Sequence, residues 1–344
     1  MLFRNANVSQ LNQFDEIIDV RTPLEYAEDH VPGAINCPVL SNEERVTVGT
    51  LYTQVSPFEA RKVGAAMVAR NIAQHLEAQF RDKPKSWRPL IYCWRGGQRS
   101  GAMSLVLAQV GWAVHRLEGG YKSYRHDVLE QLATLPQRYT FKVICGPTGS
   151  GKSRLLAALA QTGRQVLDLE GLALHRGSVL GNLPQQPQPS QKRFDSLLLQ
   201  TLHGFDPSMP VYVEAESKKI GSIALPAALF DAMHASACLL LDTPLQTRVA
   251  GLLQDYRYYV DNPETFIEHL QPLYKFHGAK QLEQWSGMIR AGNFSGIVEE
   301  LLTLHYDPSY KRATTGHYAQ LGNAQRVMLD DLSGKALEEI AKNL

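Results

Sequence analysis

Two strand–loop–helix signatures for holding anions occur in one chain, and together they dictate an α/β protein. The first is Cys93-Trp94-Arg95-Gly96-Gly97-Gln98-Arg99-Ser100, directly after the apolar run Pro89–Tyr92. The second is Gly146-Pro147-Thr148-Gly149-Ser150-Gly151-Lys152-Ser153, directly after Phe141–Cys145. Glycines let the backbone curl until its N–H groups converge, and the helix that follows adds the positive end of its dipole. The first loop places a thiol in such a cradle. The second matches GxxxxGK[ST] at every defined position and sits between a strand and a helix, the context that validates that motif.

Around each loop, short apolar runs alternate with helical spacing. Residues 16–20, Pro89–Tyr92 and residues 113–117 read as strands, residues 57–80 and 100–110 as helices, and residues 21–38 as a loop rich in turn residues. Residues 132–138 read as a linker holding Pro136. A second alternation follows: strands at Phe141–Cys145, 165–169, 211–213 and Ala237–Leu241, and a helix from Lys152. Residues 181–191, rich in Pro and Gln, read as a loop, and the pattern beyond Pro244 reads as helical. The expected architecture is a parallel-sheet domain over residues 1–135, then a P-loop α/β domain with a helical C-terminal part over residues 136–344.

The chain has 344 residues, net charge +1 and 44% hydrophobic residues. No overall field recruits nucleic acid, so an RNA site has to be a local patch. The four cysteines, Cys37, Cys93, Cys145 and Cys238, form no CxxC pair and no zinc spacing, which fits free thiols in a reducing compartment. No signal-peptide pattern and no apolar run of ~18 residues is present, so a cytoplasmic protein without a membrane span is expected.

A lone strand-end cysteine is ordinarily just buried. The Arg-Gly-Gly-Gln-Arg-Ser that follows Cys93 points to chemistry instead. A nucleophile must be thiolate, and inward-pointing N–H groups with Arg95 and Arg99 would favour that form. Ser100 is expected to cap the following helix, and Trp94, Gly96, Gly97, Gln98 and Ser100 to shape the anion site. In the second loop, the N–H groups of residues 146–153 and the Lys152 ammonium would take a phosphate or diphosphate, and Ser153 could face Mg²⁺. Glu214, Glu216 and Asp242 each follow a strand and are candidates for the acid a nucleotide hydrolase needs. The motif implies phosphate binding and leaves hydrolysis open.

Residues 1–130 resemble the rhodanese family of sulfurtransferases. The resemblance is carried by Asp19-Val20-Arg21, Glu25-Tyr26, His30-Val31-Pro32-Gly33-Ala34-Ile35-Asn36, the cysteine loop, and Leu117-Glu118-Gly119-Gly120-Tyr121. In that family the loop cysteine carries a persulfide. Five residues separate Cys93 from Arg99, one more than in the usual loop, a spacing also similar to rhodanese-fold phosphatases. The extra residue leaves room for a larger anion or a selenium atom.

A rhodanese domain fused to a P-loop domain resembles the bacterial tRNA 2-selenouridine synthases nearly end to end. The further matching stretches are Asp168-Leu169-Glu170-Gly171, His175-Arg176-Gly177-Ser178 and Val213-Glu214-Ala215-Glu216-Ser217-Lys218-Lys219-Ile220-Gly221. The resemblance implies a transferase that converts wobble 2-thiouridine to 2-selenouridine. Geranyl diphosphate first alkylates the sulfur; selenophosphate then supplies selenium and the geranylthiol leaves. It implies no tightly bound cofactor, with Mg²⁺ an option, and tRNA as partner through its anticodon loop. Selenophosphate would be delivered by selenophosphate synthetase. Asp168, His175, Arg176, Glu214 and Glu216 are auxiliary candidates. Lys192, Arg193, Lys218, Lys219, Lys311 and Arg312 are candidate RNA contacts, with Tyr258, Tyr259 and Tyr310 as stacking aromatics. An ATP-dependent tRNA thiolase, a stand-alone rhodanese sulfurtransferase, a phosphatase and a non-catalytic RNA-binding module are the competing readings.

Overall fold

The computed structural model describes residues 3–178, 180–314 and 318–344. The chain divides into two compact units: Met1–Gln131 with Pro189–Gln200, and Leu132–Gln188 with Thr201–Leu344.

The first unit is built on a five-stranded, all-parallel sheet. Its strands are β1 (Arg4–Ala6), β2 (Glu16–Asp19), β3 (Ile35–Asn36), β4 (Pro89–Tyr92) and β5 (His115–Leu117), in the order β1-β5-β4-β2-β3. The central strand β4 is buried throughout, which is why it reads as an unbroken apolar run. Helices α1 (Pro23–Glu28), α2 (Asn42–Gln54), α3 (Pro57–His75), α4 (Gln98–Val110) and α5 (Gly120–Leu132) connect the strands. A π-helical segment, Leu76–Phe80, extends α3. Ile18, Val20, Ile91, Met103, Leu107 and Phe80 form the core. Asp19 of β2 lies in register with Tyr92 of β4, so the chain leaves both strands on one sheet edge, just before Arg21 and Cys93 respectively.

Helix α1 lies inside the segment whose turn residues suggested a loop. Its signals were present: Thr22 caps it, Pro23 occupies the first turn, and Glu25 completes a capping box.

The second unit holds another five-stranded parallel sheet. Its strands are β6 (Phe141–Cys145), β7 (Gln165–Leu167), β8 (Val211–Glu214), β11 (Ala237–Asp242) and β12 (Gln325–Met328), in the order β12-β11-β6-β8-β7. A small antiparallel pair, β9 (Lys219–Ile220) and β10 (Ile223–Ala224), lies outside that sheet. Helices α6 (Lys152–Gln161), α7 (Leu169–Ala173), α8 (Gln191–His203) and α9 (Ala227–Ala235) belong to this half of the chain, though α8 up to Gln200 groups with the first unit. Strand β12 corrects the expectation of helix throughout the region beyond Pro244: a short segment exposed except at Val327 carries too little apolar pattern to announce itself, and its parallel pairing with β11 defines it.

Helices α10 (Leu245–Asp255), α11 (Arg257–Asp261), α12 (Pro263–Leu270), α13 (Tyr274–Arg290), α14 (Phe294–Glu300) and α15 (Asp307–Thr314) form the helical part. They pack around the fully buried Trp285 with Tyr259, Phe266, Leu270, Leu273 and Leu301. A π-helical segment, Leu301–Tyr306, joins α14 to α15. The last helix, α16 (Gly334–Asn343), buries Leu337 and Ala341 against Leu155, Leu156 and Leu159 of α6.

Candidate active site

The thiol of Cys93 is buried and faces donors. The Gly97 N–H donates to its Sγ at 3.2 Å, and the Ser100 hydroxyl lies 3.2 Å from it. Burial pushes the thiol up, but the Ser100 hydroxyl and the N–H groups of Ser100, Gly97 and Arg95 outweigh it and hold the thiol below its ordinary range. Ser100 was expected to cap α4. The cap position is Gly97, which offers no side chain, and the hydroxyl serves the sulfur instead.

The two arginines differ. Arg95 is exposed on the loop. Arg99 is bound by both oxygens of Glu25, at 2.6 and 3.1 Å, and that carboxyl is held below its ordinary value although burial opposes the shift. A fork-to-fork pair of this kind fixes the guanidinium and offsets its charge. Trp94 stacks on Tyr121 with centroids 5.3 Å apart. Gln98 is the first residue of α4 and is exposed. The Asp19-Val20-Arg21 stretch is structural: Arg21 is buried, binds both Asp19 oxygens and the Asp29 carbonyl, and lies 3.9 Å over the Tyr121 ring. Lys192, on α8, pairs with Glu28 at 2.7 Å and lies 5.8 Å from the Trp94 ring, while Arg193 follows at the start of the same helix.

Helix α5 pins the loop from outside. The N–H groups of Tyr121 and Lys122 donate to the carbonyls of Cys93 and Trp94 at 2.8 and 3.0 Å. Gly120 has φ +62°, and an added Cβ would collide with the Cys93 carbonyl and lie 2.5 Å from the Gly96 nitrogen. Gly120→Ala is therefore expected to displace the loop, at a cost of about 1–3 kcal/mol from the left-handed backbone alone. Thermal unfolding and the iodoacetamide alkylation rate of Cys93 would both change; an unaltered rate would mean the pinning contact does not set the thiol's environment.

In the second unit, residues 146–151 join the end of β6 to α6, whose first two residues are Lys152 and Ser153. Gly149 and Gly151 take φ +78° and +88°, and a Cβ at Gly151 would strike Leu332 at 2.6 Å. The Lys152 ammonium donates to the Gly146 carbonyl at 2.9 Å. The loop is held from behind: Thr243 donates to the Ser150 carbonyl at 2.9 Å, and Arg248 binds the Thr148 carbonyl while pairing with Asp307 at 2.6 Å.

Three carboxylates converge beside this loop. Glu170 of α7, Glu214 at the end of β8, and Glu216 offer oxygens all within 4.8 Å of one another, and Ser153 donates to Glu170 at 3.3 Å. Glu214 is buried without a well-formed hydrogen bond on either oxygen. Burial, then mutual repulsion, pushes all three up, Glu216 to about 8, although the Lys152 charge pulls the other way. Oxygen donors in this arrangement could hold a hard divalent cation. Asp242 stands apart at the exposed end of β11, 4.0 Å from Arg326.

Lys152, Ser153 and the three glutamates line a cavity of about 800 Å³, with Arg176, Lys218, Tyr256, His305 and Tyr310 on other walls. A smaller chamber of about 50 Å³ shares Thr148, Ser178, Leu252, Tyr256 and Tyr306 with it and is otherwise walled by residues such as Phe266, Phe294, Val298 and Leu301. Arg176 donates to the Asp255 carbonyl at 2.8 Å and lies over the Tyr256 ring. Asp168 caps α7 through the Gly171 N–H at 2.7 Å, and His175 is buried beside it in the chain, its imidazole pushed down by burial. Lys219 is exposed on β9; Lys311 and Arg312 are exposed on α15.

Sequence reasoning passed over Glu170 and His305. Glu170 lies in the Asp168–Gly171 stretch, but its partners Glu214 and Glu216 lie more than forty positions away along the chain and meet it only because α7 follows β7, next to β8 in the sheet. Of the three tyrosines expected to stack on RNA, Tyr259 is excluded: it is buried against Phe266 and His269.

Two protein families match the chain: the tRNA 2-selenouridine synthase AAA domain over residues 139–289, and the Rhodanese-like domain over residues 5–127. The chain is 38% identical over 244 residues to the tRNA 2-selenouridine synthase of Nitrosomonas europaea, covering 70% of this chain and 63% of that protein. It is 35% identical over 268 residues to the one from Bdellovibrio bacteriovorus, covering 74% and 69%. With the Shewanella halifaxensis protein it shares 32% over 324 residues, covering 86% of this chain and 87% of the relative. The chain thus spans less than two thirds of the Nitrosomonas protein's length and most of the Shewanella one.

Proposed function

The chain belongs to the tRNA 2-selenouridine synthase family, and from that premise we propose that it exchanges the sulfur of wobble 2-thiouridine in tRNA for selenium. Geranyl diphosphate and selenophosphate are the co-substrates in this reading, selenophosphate synthetase the source of the second, and the cytoplasm the setting. The observation that carries it is one chain holding both a thiol-bearing anion cradle and a phosphate cradle that opens into a cavity of about 800 Å³.

In the first step the N–H groups of residues 146–153 and Lys152 grip the diphosphate, and the 800 Å³ cavity beside them has room for the terpene tail. The thiouridine sulfur attacks the geranyl C1. The C–O bond breaks, its electrons leave with diphosphate, and the N3 proton passes to solvent.

In the second step the cysteine loop grips selenophosphate. Its selenium is already fully reduced, so forming a sulfur–selenium bond would need a two-electron oxidant. Attack of the Cys93 thiolate on phosphorus is redox-neutral: an S–P bond forms, the P–Se bond breaks and hydroselenide leaves. Hydroselenide adds at C2 and gives its proton to N3, and geranylthiolate departs. Water then cleaves the S–P bond, releasing phosphate and restoring the thiol.

Glu170, Glu214, Glu216 and Ser153 would hold Mg²⁺, which supplies charge neutralisation for a diphosphate. The carboxyls are raised above their ordinary range, so they carry protons in mildly acidic solution that a cation must displace. Affinity for Mn²⁺, a paramagnetic substitute, is expected to rise between about pH 6 and 8 with proton release, and to fall in Glu214→Gln. Mn²⁺ titration by electron paramagnetic resonance checks this; a pH-independent affinity would move the cation elsewhere.

The same carboxylates favour one second reading, an ATP-dependent tRNA thiolase, because carboxylates beside a phosphate cradle also serve nucleotide hydrolysis. The deciding test incubates thiouridine tRNA with each donor and analyses its nucleosides by mass spectrometry, with ATP turnover followed in parallel. Geranylated and then selenated nucleoside without ATP supports the proposal; brisk tRNA-stimulated ATP turnover supports the rival.

A further inference from the structure

The turn Tyr274-Lys275-Phe276-His277 stands apart from the rest of α13, because Gly278 (φ 76°, ψ 174°) interrupts the helix directly after it. It presents two aromatic rings to solvent: Tyr274 is 55% exposed and Phe276 68%. Neither serves the core. The Phe276 ring packs on His305, with centroids 5.5 Å apart. His305 is buried in the π-helical segment, is held by His277 Nε2 at 3.1 Å, and lines the phosphate-cradle cavity, as do Tyr306, Ser309 and Tyr310 just after it. An exposed phenyl ring therefore leans on the cavity wall. Lys275 is exposed on the same turn and Lys280 just past Gly278, and Arg312 lies near enough to His305 to act on its charge. Asp307, the nearby acid at the start of α15, is engaged by Arg248.

We propose that Phe276, with Tyr274 beside it, is a stacking platform for an unpaired base of a single-stranded RNA loop, with Lys275, Lys280 and Arg312 meeting the backbone phosphates. This rests on the reading of the chain as a tRNA-modifying enzyme. Aromatic faces take any base, and interleaved cations track the backbone, a combination typical of single-strand recognition. The platform holds a loop base beside the cavity in which the diphosphate sits, so it acts as a positioning group and takes no part in bond making.

The test uses the full chain, an anticodon stem-loop RNA and the Phe276→Ala and Phe276→Trp variants. Phe276→Ala is expected to weaken RNA binding by roughly 5- to 150-fold, the span of one lost base–aromatic stack. Phe276→Trp is expected to retain it. Binding of inorganic pyrophosphate should be the same in all three, showing that the variants are folded. A loop carrying 5-iodouridine should photocross-link to the wild-type protein within residues 274–276. Unchanged RNA affinity in Phe276→Ala, or cross-links mapping elsewhere, overturns the platform while leaving the tRNA reading standing. A wild-type protein that fails to bind the stem-loop overturns that reading and the platform with it.

Discussion

Cys93→Ser is expected to abolish selenium incorporation, with a loss of roughly 10³-fold or more, while geranylated tRNA accumulates. The hydroxyl is close to isosteric and keeps the Gly97 and Ser100 contacts at 3.2 Å within reach, so the loop should survive. What disappears is the anion. The N–H groups around residue 93 draw the thiol below its ordinary range, but no comparable effect ionises an alcohol near neutral pH. Accumulation of the geranylated nucleoside separates the two steps, because alkylation is assigned to the other loop. The check is nucleoside mass spectrometry on tRNA treated with both donors. Full selenation by the serine variant would remove Cys93 from the reaction.

Lys152→Ala is expected to weaken geranyl diphosphate binding by about 1.5–3 kcal/mol, the worth of a charged hydrogen bond to phosphate. That is roughly 10- to 150-fold in Kd. The ammonium lies beside the loop carbonyls, 2.9 Å from that of Gly146, and its charge also restrains the glutamates. Its loss should leave Glu214 and Glu216 still harder to ionise, so the affinity deficit should grow as pH falls. Calorimetry at two pH values measures both effects. Unchanged affinity would move the donor to another cation; Arg176 is the candidate on the cavity wall, since Arg248 is committed to Thr148 and Asp307.

Local chemistry was legible in the sequence; long-range pairing was not. Strands β4 and β6 showed because buried parallel strands are continuous apolar runs, and both loops showed because glycine, lysine and cysteine occupy positions with a backbone reason. Arg99 read as free positive charge because its partner Glu25 lies 74 positions away. Ser100 read as a cap because that is serine's commonest local role, yet the cap is Gly97, three residues earlier, and the hydroxyl turns to sulfur. The glutamate trio required knowing that β7 and β8 are neighbours, a fact of topology that no local window holds. The exposed Phe276 lay in a stretch read only as helical; its meaning came from Gly278, which ends the turn, and from His305 beneath it.

This chain is expected to make 2-selenouridine through a geranylated intermediate without nucleotide hydrolysis. The direct measurement is mass spectrometry of the wobble nucleoside after thiouridine tRNA meets the purified protein. Geranyl diphosphate is added first and selenophosphate second, with ATP absent throughout. The expected result is a mass gain for one geranyl group after the first addition and its replacement by selenium after the second. A thiouridine left untouched by both donors, or changed only when ATP is supplied, would contradict it.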